Sequence, residues 1–324
     1  RKDNMRAFTQ KTLQQFGYNY TEHTMGFVAP AISFGFNSYD GAYLGGGIVW
    51  KKPGFRKYPY AAVHKIVANI APSNGSFNFH YKADFTNLIA DNDFLVNATV
   101  YSPNNSTKFY GFGNDSVDTG PSSYYNVRRD IYELDFLLRM NLNKNNHMVF
   151  GPSIQITDVR QEKDKFYSTE KAGLSDSDFN TFTLPGLRLQ YLYNSTNDPH
   201  YPTKGIKIKY ASKWWYNIQD QNALLRSNLS MGIYQNIPNT GFTIATRMGG
   251  MVNIGNYRFF QANVLGGAGL FYNPEKDFFD EANFRGASTD RFSGRAVFYH
   301  NTDLRFKIWD VQSYVVPGQF GAHF

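Results

Sequence analysis

Apolar residues recur at every second position through most of this chain, in runs of about ten residues, where strands of soluble sheets usually have about five or six. Phe77, Phe79, Tyr81, Ala83 and Phe85 alternate with Ser76, Asn78, His80, Lys82 and Asp84. Tyr132, Leu134, Phe136, Leu138, Met140 and Leu142 alternate with Glu133, Asp135, Arg139 and Asn141. The same rhythm sets Leu187, Leu189, Tyr191 and Tyr193 against Arg188 and Gln190, and Ile206, Ile208 and Tyr210 against Lys207 and Lys209. A period of two places one set on each face of an extended strand. In a soluble sandwich such apolar faces meet in a core. In a membrane barrel they face lipid while the polar faces line a lumen. Closure follows because lipid cannot satisfy an unpaired strand edge.

The expected fold class is therefore all-β, a transmembrane antiparallel β-barrel with about fourteen strands between residues 26 and 324. One of these strands is read at 257–272. Tyr39-Asp40-Gly41, Asn74-Gly75 and Pro238-Asn239-Thr240-Gly241 are turn signals. Short turns alternate with longer polar connections near 103–126, 158–180 and 273–294. Trp50, Trp214, Trp215 and Trp309 stand at run ends, where interfacial girdles form. Residues 1–25 read as a lead-in segment, helical only at Met5–Phe16, and 26–324 as one barrel domain. A charge placed at Phe136, on the lipid face, is expected to be costly, and the same change at Glu133 mild.

Composition removes other classes. The 324 residues include no cysteine, which excludes disulfides, thiolate metal sites and a cysteine nucleophile. An aromatic content of 17% is far from that of a disordered chain. No apolar run approaches the roughly 20 residues of a spanning helix. Arg1 to Thr24 carries no apolar signal-peptide core. The net charge is +7, but the basic residues are scattered singly, as at Lys207, Lys209 and Lys213, and do not form the clustered footprint of a nucleic-acid surface. They suit a solvated inner wall.

Enzymatic signatures are absent from the sequence. The histidines at 23, 64, 80, 147, 200, 300 and 323 show no H-x-x-x-H or H-E-x-x-H spacing, so no metal site is expected. Gly45-Gly46-Gly47 lacks a strand-to-helix context and reads as a thin stretch of wall. No G-x-S-x-G elbow occurs. The expectation is a protein with no catalytic residues and no cofactor.

One connection stands out. Phe284-Arg285-Gly286-Ala287 lies in a loop rich in charge and aromatics, followed by a strand whose polar face presents Asn301, Asp303, Arg305 and Lys307. A glycine beside an arginine lets a loop turn tightly inward, where a guanidinium can meet a wall carboxylate. The residues alone do not decide the function: a passive diffusion channel would show the same alternation.

Phe284-Arg285-Gly286-Ala287 resembles the R-G loop signature of the outer-membrane assembly barrel superfamily, the BamA/TamA-like bacterial surface antigen family. Asn301-Thr302-Asp303-Leu304-Arg305 resembles its N-x-E/D-L-R strand, and Asp198 to Gly205 its D-P-x-x-P-T-x-G turn. Tyr39-Asp40-Gly41 through Gly45-Gly46-Gly47 is similar to its first hairpin, and Phe109 to Asn114 to a stretch of Bacteroidetes-type members. The resemblance spans about residues 26–324. It implies a sixteen-stranded barrel that inserts or translocates polypeptides without a cofactor or, as in some relatives, a membrane anchor for a catalytic domain fused upstream, patatin-like or phosphoesterase. Arg285 would be the lumen arginine, with Asp303 its wall partner and Asn301 and Arg305 beside it. The first and last strands would form a lateral seam. Implied partners are unfolded outer-membrane or secreted clients, the lipid bilayer, and accessory subunits or a fused periplasmic domain. Two departures are a sequence that stops inside what resembles the fourteenth strand, as in a truncated or incomplete barrel, and the lack of POTRA-like repeats ahead of the barrel; the alanine at 287 in place of an aromatic is a smaller mismatch.

Overall fold

The computed structural model describes residues 25–37, 40–55, 57–116, 118–198, 201–266, 283–284, 286–311 and 318–323. The helix expected at Met5–Phe16 and the loop arginine Arg285 lie outside the described residues. The chain forms β1 (Phe27–Asn37), β2 (Gly41–Gly54), β3 (Lys57–Ala71), β4 (Ser76–Ile89), β5 (Asn92–Tyr101), β6 (Ser106–Lys108), β7 (Asn126–Asn141) and β8 (Asn146–Val159). It continues through β9 (Thr181–Asn194), β10 (Gly205–Asn217), β11 (Asn222–Asn236), β12 (Phe242–Gly255), β13 (Asn263–Leu265), β14 (Phe292–Gly294), β15 (Ala296–Val311) and β16 (Gly318–His323).

All but β13 and β14 belong to one 14-stranded antiparallel sheet that follows chain order, with β6 laid against the start of β7. β12 pairs directly with β15, so 256–295 is an excursion from the wall that carries its own small sheet, β13 with β14. Successive antiparallel strands return the chain to opposite rims. The three long connections, 102–125, 160–180 and 256–295, therefore share one rim. The opposite rim has short turns such as 90–91 and 142–145.

The alternation sorts side chains as the period requires. On β7, Tyr132 and Phe136 point outward and Asp135 and Leu137 inward. On β10, Trp214 and Tyr216 point outward, and Lys213 and Trp215 inward. Trp50 and Trp214 remain about half exposed on the outer face, near opposite ends of the spanning strands. Trp215 departs from the expected girdle. As the immediate neighbour of Trp214 it must face the other way, and it joins an internal cluster with Phe182 and Leu224. The side chain of Trp309 lies outside those described.

The strand expected at 257–272 does not form. Phe259–Gln261 is a 3-10 turn, only Asn263–Leu265 is extended, and residues from 267 onward lie outside the described set. Phe259, Gln261, Ala262 and Asn263 are all buried. A segment enclosed on every side has no lipid-facing half, and adjacent Phe259-Phe260 breaks the period of two.

Gly45 and Gly47 sit where β2 and β3 close tightly. A Cβ there would fall 2.1 Å from the Ala68 carbonyl oxygen and 1.9 Å from that of Ile66. This is a wall in which a side chain has no room, not a phosphate cradle.

Placing lysine at Phe136 on the lipid face should cost about 2–4 kcal/mol if the position lies near the bilayer midplane. Urea titration of the barrel folded into lipid vesicles measures this loss. An unchanged midpoint would mean that the outer and inner faces have been exchanged.

Candidate functional site

The inner wall is a cross-strand charge network. Glu133 and Asp135 on β7 face Arg188 on β9 and Lys213 on β10. The Arg188 guanidinium lies 2.7 Å from Asp135 and 3.4 Å from Glu133, and the Lys213 ammonium 2.8 Å from Glu133. A second node joins Arg139 on β7 to Asp93 on β5 and Asp84 on β4, each at 2.8 Å, while the Tyr60 hydroxyl donates to Asp84. Glu133 is thus no lightly solvated wall residue. One carboxylate holds two cations, so the mild response expected at this position is corrected: a lysine there would set three cations together.

The described start of the excursion, 256–266, lies against inward-facing side chains from separate parts of the wall. Arg129 on β7 donates to the Phe260 carbonyl at 2.9 Å, and Arg226 on β11 to the Asn263 side-chain oxygen at 3.0 Å. The Asn253 amide on β12 donates to the Gln261 carbonyl, and Asn263 to the Arg295 carbonyl, both at 2.8 Å. Arg226 and Asn253 share the inward face of their strands with the buried Leu224 and Met251. The two ends of the excursion join as β13 and β14. Segment 112–116 docks on the returning arm: the Gly113 N–H donates to the Ser293 carbonyl, and Arg291 to the Ser116 hydroxyl and carbonyl. The Arg291 guanidinium also stacks 5.1 Å from the Tyr110 ring.

Above the polar wall lies the aromatic core. Phe109, Tyr167, Phe182, Leu184, Trp215, Leu224 and Phe259 are buried together, with Phe166, Phe179, Tyr257 and Phe260 packed around them. These residues come from the three long connections and the adjoining strand ends, so the described parts of the loops pack on one another at that rim. Arg258 locks the cluster. Its guanidinium makes a forked pair with Asp220 in the β10–β11 turn, at 2.7 and 2.5 Å, and reaches Asp178 in loop 160–180 at 2.8 Å. The Asp220 bonds hold the Arg258 pKa above its ordinary value. Burial alone would raise the Asp178 carboxyl, but the Ser175 N–H and Arg258 outweigh it and hold that carboxyl below the usual range.

The structure brings the expected wall residues into one place. Asn301, Asp303 and Arg305 face inward on β15, with the Arg305 guanidinium 3.3 Å from Asp303 and 5.6 Å above the Tyr234 ring. The Asn301 side-chain amide donates to the Asn283 carbonyl at 2.8 Å, and Asn283 is buried, capping Gly266 and Val264 in turn. Phe284 is 36% exposed, and Gly286 adopts φ +88° with open space where a Cβ would stand. Backbone geometry, not crowding, calls for glycine at 286. Reasoning from sequence missed Arg129, Arg226, Asn253, Asn263 and Arg258, because their partners are distant in the chain. For Arg129, Arg226 and Asn253 the only local signal was polarity on the inner-face parity; Arg258 and Asn263 lie in the excursion, where no strand period applies.

These features define an antiparallel transmembrane β-barrel with a charged inner wall. A family model, the Omp85 superfamily domain, matches residues 67–323, more than half of the sequence. The chain belongs to the Omp85 superfamily, whose members are β-barrels of the bacterial outer membrane. Among solved structures it is similar to BamA from Haemophilus ducreyi lacking POTRA domains 1-3, at 13% identity and a TM-score of 0.62. That match covers 90% of this chain and 55% of the other. A comparison with curated protein sequences gave no match.

Glu133→Lys should destabilise the barrel by on the order of 3 kcal/mol, because a buried pair is broken and a like charge added. Chemical denaturation in lipid vesicles measures this, and a loss below that of Phe136→Lys by more than the error would contradict the inward network. Arg258→Gln should lower the opening free energy of loop 160–180 by about 1–3 kcal/mol, read by hydrogen exchange while spanning strands stay protected. Because the folded Asp178 pKa is depressed, its contribution is complete at neutral pH. It disappears only as the pH falls below the ordinary carboxylate range of about 4.

Proposed function

We propose that this chain is the membrane barrel of a machine that inserts or exports polypeptides at the outer membrane, with the R-G loop acting from inside the lumen. Residues 26–324 serve as the barrel domain, and any periplasmic domain or accessory subunit engages the short-turn rim. Clients are unfolded outer-membrane or secreted proteins, and the bilayer is the second partner. The reaction is a transfer of strand backbone into lipid, where unpaired N–H and C=O groups are costly. It needs no covalent chemistry, so no residue is assigned a catalytic role.

The observation that carries this reading is the bond from Asn301 to the Asn283 carbonyl. It ties the residue two positions before Arg285 to the same inner strand face that presents Asp303 and Arg305. Asp303 on that face is the carboxylate this reading assigns to Arg285, and the left-handed Gly286 suits a tight turn. Family membership supports the same assignment. The aromatic cluster packed at the long-loop rim favours this reading over a steady diffusion channel. A lateral seam between β1 and β16 is part of the proposal: among the described residues each of these strands pairs with a single neighbour.

Replacing Arg285 by alanine should leave insertion and heat-modifiable migration of the barrel intact. It should slow assembly of a client barrel in proteoliposomes by about tenfold or more, the loss expected of one charge-assisted bond. Arg285→Lys should recover only part of the rate, because a point charge lacks the guanidinium fork. A wild-type assembly rate for the alanine variant would overturn the reading.

A further inference from the structure

We infer that the long-connection rim carries a binding site for an acidic sugar, a hydroxylated ring bearing a carboxylate. The site is an open cleft of about 460 Å³ where the β10–β11 turn, loop 160–180 and the start of the 256–295 connection meet. Its size falls within the roughly 300–1,000 Å³ of small-ligand sites, but such sites are mostly lined by apolar side chains. The described residues that line this one present carboxylate, amide, phenol and guanidinium groups, and none is aliphatic. An apolar ligand has little to bury against there, whereas a ring of hydroxyls meets donors and acceptors on every side.

The lining divides into a frame and a grip. Arg258 belongs to the frame, because Asp220, Asp178 and the Ser177 hydroxyl all take bonds from its guanidinium. Asn217 is also committed: its amide donates to Asp220 at 2.7 Å, and its side-chain oxygen accepts from the Gln219 N–H. With both carboxylates held by Arg258, a metal ion is a poor occupant. Arg295 is placed differently. Its carbonyl accepts from the Asn253 N–H and the Asn263 side-chain amide, both at 2.8 Å, so its backbone is fixed. Its guanidinium lies 5.4 Å over the Tyr257 ring, and among the described residues no carboxylate or carbonyl accepts from it. Gln261 supplies a second donor. It is 7% exposed, and its side-chain oxygen accepts from the Arg258 N–H at 2.9 Å. Its side-chain nitrogen has no acceptor among the described residues, although polar groups so buried are ordinarily paired. The side chains of Asn222 and Asn256 line the same cleft and, among the described residues, make no hydrogen bond. An open guanidinium fork suits a planar carboxylate, and the three amides suit the hydroxyls beside it.

The test is calorimetric titration of the intact barrel in nanodiscs with digalacturonate, against its methyl ester, which keeps every hydroxyl and removes the charge. Digalacturonate should bind saturably and at least about tenfold more tightly than the ester, the effect expected of one charge-assisted bond. Arg295→Gln should erase that preference. Gln261→Glu keeps an acceptor for the Arg258 N–H but sets a carboxylate in the cleft to compete with the ligand's, and should weaken digalacturonate by about tenfold. Arg295 is exposed, so its variant tests the grip without disturbing the fold, and an unchanged melting temperature verifies this. Absence of saturable binding, equal binding of the ester, or an Arg295→Gln or Gln261→Glu barrel that binds as the parent does would each overturn the inference. Displacement by an equal concentration of inorganic phosphate would reveal a seat for any anion and overturn the assignment to a sugar.

Discussion

Everything in this molecule follows from the obligation to pair backbone groups where no water is available. Lipid offers no hydrogen bond, so each spanning segment must find both partners in neighbouring strands. A continuous antiparallel meander meets that demand, and the pleat then leaves no choice about side chains. One parity faces hydrocarbon and the other faces the interior. The outer parity becomes mostly apolar, with exceptions such as His300 and Thr302, and the ion pairs of the wall are directed inward. The Arg188–Glu133–Lys213 and Arg139–Asp93–Asp84 networks are the result. Charges that would be scattered over the surface of a soluble protein are here concentrated on one concave wall.

That concentration explains where the conventional core lies. Facing sheets cannot supply it, because their apolar sides look outward. The buried aromatic cluster is built instead from the long connections at one rim, packed onto the ends of β7 to β12. Loop 256–295 belongs to both worlds. Its aromatic residues Phe259 and Phe260 enter the cluster, while its backbone carbonyls accept bonds from Arg129, Asn253 and Asn263. A loop so held is part of the structure, and the charged rim pair formed by Arg258 with Asp178 and Asp220 fastens its neighbours to it.

The strands were legible because their period is local, and a reader needs only ten residues to see it. Phe136 and Asp135 were sorted correctly by parity alone. Trp215 was misplaced because its type suggested an interface while its parity pointed inward. The segment 257–272 was misread for a related reason: it is apolar enough for a strand, but its burial comes from loop packing and not from a two-faced sheet. Glu133 was placed on the correct face, yet its weight depends on Arg188 and Lys213, more than fifty residues away. The candidate site divided in the same way. Asn301, Asp303 and Arg305 could be read from the strand pattern, whereas the Asn283 tether and the arginine anchors are contacts between distant segments, which no local period encodes.

The tether at Asn301 also bears on how the sheet finds its alignment. A slip of β15 against β12 by one residue would turn every lumen side chain toward lipid and would be rejected at once. A slip by two residues preserves both faces, and the pleat alone cannot detect it. Such an error moves Asn301 by roughly 7 Å, well beyond hydrogen-bonding reach of the Asn283 carbonyl. The inward loop is then a gauge of strand alignment: its anchors engage only when the last long hairpin has closed in the correct frame. Proofreading of the barrel's own folding is in this way written into the connection between β12 and β15.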